Sequence, residues 1–169
     1  ESFEGDLKIE YTFTRTDNGG GVCIIYIQGT GRGDTGYETD ITEWSDSRED
    51  AGMGKYFRNM HVYHVSYACG YVRGRRYNPE ERKMNTYSEL TPEYLVDNKD
   101  FFEIDVPYRI TLIKSDKEIR MRAVGPEKAL YFMLDNEKWP PVTEGRIGLR
   151  QMRSRESIYK DFGVSVPGE

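Results

Sequence analysis

The sequence is short of the groups from which most metal and nucleophilic sites are built. It has 2 cysteines and 2 histidines in 169 residues. Cys23 and Cys69 form no CxxC pair and join no Cys/His cluster, so both are read as buried thiols, not as metal ligands. A basic excess is missing too. Lys and Arg number 24 against 29 Asp and Glu, a net charge of −5. Nucleic-acid binders normally carry a basic face, so no nucleic-acid partner is expected. No apolar run approaches the roughly 18 residues of a membrane-spanning helix, so no membrane partner is expected either. Repeats, low-complexity tracts and linkers are also lacking, which leaves a single domain over residues 1–169.

Aromatic residues are what the chain does have. It holds 13 Tyr, 7 Phe and 2 Trp. Tyrosine has an apolar body and a polar tip, which suits half-buried sheet faces and sugar-binding clefts alike.

Period-two patterns dominate. In residues 6–14, Leu7, Ile9, Tyr11 and Phe13 alternate with Lys8, Glu10 and Thr12, so one face of a strand is buried. The DNGGG run at 17–21 is a turn. Residues 22–28 follow as a β-branched strand, with Cys23, Ile25 and Ile27 inward and Ile24, Tyr26 and Gln28 outward. Residues 29–54 form a long surface excursion with one short strand at 37–44. Thr91-Pro92-Glu93 is a helix start, with Thr as the cap and Pro in the first turn, within residues 85–98. Residues 108–123 form a hairpin turning at Ser115-Asp116-Lys117, and strands follow at 129–134, 145–149 and 159–166. Many short strands separated by turns make an all-β antiparallel sandwich.

Residues 59–80, NMHVYHVSYACGYVRGRRYNPE, concentrate the polar chemistry. Two strands meeting near Gly70 put Tyr63, Val65, Tyr67 and Val72 in the core. His64, Ser66, Arg73, Arg75 and Tyr77 then share the opposite face. Tyr26 and Gln28 join them by parity, and Trp44 lines the same cleft as a stacking surface. His61, of opposite parity, is read as structural. Such a patch suits a uronate, because Arg meets a carboxylate bidentately. It also suits β-elimination. Arg75 or Arg73 would neutralise the carboxylate, His64 would remove the neighbouring proton, and Tyr77 would protonate the leaving oxygen. Tyr26, Gln28, Trp44, Ser66 and Arg73 would bind the substrate. The RQMRSR run at 150–155 is read as a polar strand end.

Three blocks carry a resemblance: GGGVCIIYIQGTGRG, then HVYHVSYACG with YVRGRRYNP after it, then GRIGLRQMRSRESIYKDFGV. In that order they resemble the YesU-like bacterial proteins, over residues 22–166. The resemblance implies a jelly-roll sandwich of the concanavalin A-like lectin/glucanase type, with one concave face. It also implies a setting in polysaccharide utilisation, with pectin-type sugars. Separately, a chain read as a single domain without a linker leans toward an enzyme or a periplasmic accessory protein, so a periplasmic or extracellular location is expected ahead of a cytoplasmic one. Family members carry sequence before this chain's Glu1, which implies that an outer strand pair is absent or unusually short. No established site comes with the family, so no residue role is carried over from it. YVRGRRYNP is also faintly similar to a segment of jelly-roll alginate lyases.

Glu38-Thr39-Asp40-Ile41-Thr42-Glu43 fits the ExDxxE spacing of retaining glucanases in the same superfamily. Retention needs two carboxyls about 5–5.5 Å apart. Residues 38 and 43 are an odd number apart, so a plain strand puts them on opposite faces and only a bulge would unite them. Asp34, Glu38 and Asp40 could instead hold calcium; otherwise no cofactor is expected. The expected partner is an oligo- or polysaccharide. Two classes stay open: an enzyme on acidic glycans, whether lyase or Glu38/Glu43 glycosidase, and a non-catalytic lectin-like module.

Overall fold

The alternation of Leu7, Ile9, Tyr11 and Phe13 is realised in strand β2, Leu7–Arg15, where all four side chains are buried. The structure is a computed structural model that describes residues 1–44, 49, 52–81, 94–97, 99–152 and 154–167. The other strands are β1 Ser2–Glu4, β3 Cys23–Gly31, β4 Met60–Tyr67, β5 Tyr71–Tyr77 and β6 Tyr94–Asp97. After them come β7 Pro107–Lys114, β8 Glu118–Val124, β9 Ala129–Asp135, β10 Glu144–Gln151 and β11 Ser157–Ser165. They form a six-stranded sheet, β1-β10-β3-β4-β5-β6, and a five-stranded sheet, β11-β2-β7-β8-β9. Every pair of neighbouring strands is antiparallel. Among the described residues no helix is long and apolar enough to cross a membrane.

The main core lies between the sheets. Cys23, Ile25, Ile27, Tyr63, Val65, Tyr67 and Val72 meet Ile9, Tyr11, Phe13, Ile110 and Leu112 there, as strand parity predicts. Both cysteines are free thiols, Cys23 buried and Cys69 half-buried.

A second, smaller core lies on the outer face of the six-stranded sheet. Ile24, Met60 and Val62 point outward there and need cover. Helix α1, Met53–Asn59, supplies it: Met53, Tyr56 and Phe57 sit at positions i, i+3 and i+4, which share one helical face. The strap of residues 32–44 adds Tyr37, Ile41 and Trp44. Trp44 is buried and donates its indole N–H to the Glu38 carbonyl at 2.7 Å.

Several expectations change here. The strand expected at 37–44 is a strap with a single bridge, Asp34 to Tyr37, and a 3-10 turn at Ile41–Glu43. Asp40 caps that turn, accepting from the Thr42 amide, and a capped turn competes well against an unpaired edge strand. Helix α1 has no strong N-cap, since Gly52 precedes it, so packing and not local sequence makes it a helix. Residues 94–97, where a helix was expected, pair with β5 as β6. The helix start Thr91-Pro92-Glu93 lies outside the described residues. The edge strand β1 is only three residues long.

Gly31 lets the strap lie against β3. A Cβ there would sit 1.9 Å from the Glu38 carbonyl oxygen and 2.6 Å from that of Tyr37, both backbone atoms that cannot swing aside. Gly31→Ala is therefore expected to push the strap off the sheet and cost about 1–3 kcal/mol. A lower urea midpoint, with a shifted Trp44 indole signal in the folded baseline, would bear this out; an unchanged midpoint would not.

Candidate functional site

Strand register builds the site row by row. Tyr26 of β3 pairs with His64 of β4, and His64 pairs with Arg75 of β5. In the next row, Arg150 of β10 lies opposite Ile24, Ile24 opposite Ser66, and Ser66 opposite Arg73. Directly paired residues point to the same face with Cβ atoms about 4.5–5.5 Å apart. Tyr26, His64, Ser66, Arg73, Arg75 and Tyr77 thus share the outer face of the six-stranded sheet, and Arg150 joins them.

This face is not open. His64 is 3% exposed, Tyr77 1% and Tyr26 7%. The His64 Nδ1 and the Tyr77 hydroxyl share a hydrogen bond of 2.6 Å. The Tyr26 and Tyr77 rings lie 5.5 and 5.2 Å from the imidazole, and Phe57 of α1 meets Tyr77 edge-on at 6.2 Å. The second nitrogen, Nε2, is buried without a partner. Burial pushes the His64 pKa down to about 3, and the Arg75, Arg73 and Arg150 guanidiniums push the same way, so the ring is neutral. Burial likewise raises Tyr26 to about 12. Arg73 is half-buried and lies 4.3 Å over the Tyr71 ring. The Ser66 hydroxyl donates to the Arg73 carbonyl at 3.3 Å.

Gln28 does not join this group. A one-residue bulge in β3 breaks the register between Ile27 and Thr30, and Gln28 adopts φ 54°. Its amide nitrogen donates to the carbonyls of Gly5, Phe3 and Thr143 at 2.9, 3.2 and 3.2 Å, so it ties the N-terminus to β10. Period-two parity carries no signal of a bulge.

Open space on this face lies toward β10. A groove of about 360 Å³ is lined by Tyr26, Trp44, Tyr56, Met60, Arg150 and Gln151, among others. The Arg150 guanidinium stacks 4.9 Å over the Tyr56 ring. Tyr56 falls between the excursion at 29–54 and the stretch at 59–80, where no periodic pattern marks it. Arg150, read from sequence as part of a polar strand end, shares parity with Gly148, and the pairing of Gly148 with Tyr26 brings it to this face. The rest of that basic run behaves differently. Arg155 is buried and ion-paired with Asp17 at 3.1 Å.

The acidic segment is dispersed. Glu38 accepts from the Gly36 amide, and Glu43 sits exposed on the 3-10 turn, so no strand face presents the pair. Asp40 receives two hydrogen bonds from Arg146 at 2.6 Å, which hold its carboxyl well below the usual range and latch the strap to β10. Asp34 pairs with Arg32 at 2.5 Å. The three carboxylates offered for calcium thus face three different partners. Among the described residues no group of three or more His, Cys, Asp and Glu side chains is placed to hold a metal.

Two antiparallel sheets of six and five strands enclosing this core make a galectin-like jelly roll. A crystal structure from Bacillus subtilis, of a protein of unknown function with a galectin-like fold, matches with TM-score 0.58 and 24% identity over 97% of this chain and 73% of its own. Sheep galectin-11 in complex with glycerol matches with TM-score 0.54 and 10% identity, over 98% and 95%. In sequence, the uncharacterized protein YesU of Bacillus subtilis (strain 168) is 26% identical over 97% of this chain and 73% of its own length. The chain belongs to the family described as a domain of unknown function, DUF1961, which it matches over residues 1–164.

Since the His64 pKa falls from an ordinary 6.5 to about 3, stability should depend on pH in one direction. Between those two values the unfolded chain binds a proton that the folded ring refuses, so stability falls as pH drops through the window. The His64 ring signals in NMR should keep neutral positions below about pH 5, and His64→Gln should flatten the stability slope. A His64 that titrates near 6.5 would mean that the ring is hydrated.

Proposed function

We propose that this protein binds carbohydrate in the groove between β10 and α1, and that its ligand carries a carboxylate. The groove itself carries the reading. Three aromatic side chains, Tyr26, Tyr56 and Trp44, border it, and Arg150 stands at its edge with a planar guanidinium. Aromatic faces suit the C–H faces of sugar rings, and a guanidinium pairs with a uronate carboxylate by two parallel hydrogen bonds. Arg73 and Arg75, both on β5 and three strands across from β10, extend the positive field that already acts on His64. A galectin-like frame supports the same ligand class.

Binding is favoured over cleavage by the geometry of the acid–base pair. His64 and Tyr77 are bonded to each other beneath α1, and Tyr26 stands between His64 and the groove. A neutral imidazole with so low a pKa is also a weak base. β-Elimination by His64, Tyr77 and Arg75 would require the substrate to displace Tyr26. The orphan Nε2 of His64 is the one feature that speaks for that route. Hydrolysis by Glu38 and Glu43 has no such support.

Calorimetric titration with oligogalacturonates and with their methyl-esterified counterparts tests the reading. The free acids should bind more tightly, and Arg150→Ala should weaken them about tenfold while leaving the esters little changed. Equal affinity for acid and ester would sink the carboxylate claim. The same samples should show no rise in ultraviolet absorbance from unsaturated chain ends; a rise abolished by His64→Gln would turn the reading to a lyase.

A further inference from the structure

A second groove, of about 610 Å³, opens at the end of the sandwich where the chain leaves β9 in one sheet and enters β10 in the other. One wall is the crossing segment Trp139-Pro140-Pro141. The other is His61 from β4 with Asn78 and Glu80 from just beyond β5. This is the site of the histidine that strand parity set apart.

The crossing segment is held rigidly. The Asn136 side-chain amide donates to the carbonyls of Trp139 and Pro140 at 2.8 and 3.4 Å, and the buried Arg76 guanidinium donates to Pro140 at 3.4 Å. Two consecutive prolines fix φ on that wall as well. A wall of this kind loses little entropy when a ligand docks.

Its polar groups are of both kinds. His61 Nε2 lies 3.1 Å from the Glu80 carboxylate, and Lys138 sits 4.8 Å from the Trp139 ring centre. Glu80 and Glu144 oppose Lys138 and Arg76 around the space, so neither sign prevails, in contrast to the groove beside Arg150. Trp139 is 6% exposed and lines the groove, and its indole N–H has no acceptor. Buried donors in folded proteins are nearly always satisfied, so an orphan on a side chain that lines a polar groove is a donor that a ligand hydroxyl completes once the indole turns toward the groove.

We propose that this end groove is a second binding site that takes one neutral, hydroxyl-rich ring, a monosaccharide unit. A ring hydroxyl accepts from the Trp139 Nε1–H, and a neighbouring hydroxyl donates to Glu80. A sugar hydroxyl both donates and accepts, which matches a lining of an indole N–H, a carboxylate and the Asn78 amide. With Glu80 and Glu144 balanced by Lys138 and Arg76, a carboxylated ring gains nothing from its charge that offsets removing it from water. The site draws on none of the groups assigned to the outer-face groove, so the two proposals stand or fall separately.

The two tryptophans border different grooves, Trp44 the outer one and Trp139 the end one. Indole N–H signals of the ¹⁵N-labelled protein therefore report each site on its own, with Trp139→Phe giving the assignment. Titration with galactose, glucose, mannose and xylose should move the Trp139 signal for at least one of them and leave Trp44 in place. Galacturonate should move Trp139 less than galactose does. Glu80 is largely exposed, so Glu80→Ala should keep the fold, and it should weaken the neutral sugar about tenfold. The proposal is overturned if none of the four sugars moves Trp139, if only Trp44 responds, if galacturonate is preferred, or if Glu80→Ala leaves the titration unchanged. Failure of acidic glycans to bind beside Arg150 would leave the Trp139 response as it is.

Discussion

The register of β4 between β3 and β5 is the constraint on which the rest depends. Pairing Tyr26 with His64 and His64 with Arg75 places an aromatic ring, an imidazole and a guanidinium in one row. Slipping either pairing by one residue would send these groups into the main core and bring Tyr63 and Val65 out. The hydrophobic demand of the core therefore fixes the geometry of the polar face, although no polar interaction is needed to specify it.

That polar face is enclosed because strands β3, β4 and β5 of the six-stranded sheet are buried on both sides. Ile24, Met60 and Val62 draw α1 and the strap onto its outer surface, and the Asp40–Arg146 pair latches the strap in place. The consequence is chemical. His64 sits dry and neutral against Tyr77, a state that a solvated sheet face would not sustain. The accessible chemistry moves outward to Tyr26, Tyr56 and Arg150 at the groove beside α1.

The two grooves differ in electrostatics because they lie on different parts of the frame. The outer one has Arg150 of β10 in its lining, and Arg73 and Arg75 of β5 lie on the same sheet face. The end groove draws on loop and strand-end residues in which acids and bases alternate, His61 with Glu80 and Lys138 near Glu144. One galectin-like frame thus offers two surfaces with different charge preferences.

Much of the sandwich was legible in the chain itself. Alternation in residues 7–15, 60–67, 107–114 and 118–124 determined which side chains fill the core, because a strand's two faces are a local property of its sequence. The same parity put His64, Ser66, Arg73, Arg75 and Tyr77 together. Tertiary structure alone decided the rest. The bulge at Gln28 depends on how β3 meets two neighbours at once, so alternation carried past Ile27 misplaces that side chain. The helix of residues 53–59 has weak local signals and forms because an apolar outer face needs cover. Whether His64 meets water or a closed aromatic pocket is likewise a long-range outcome. Parity names the face, but only packing between segments distant in sequence determines what lies above it.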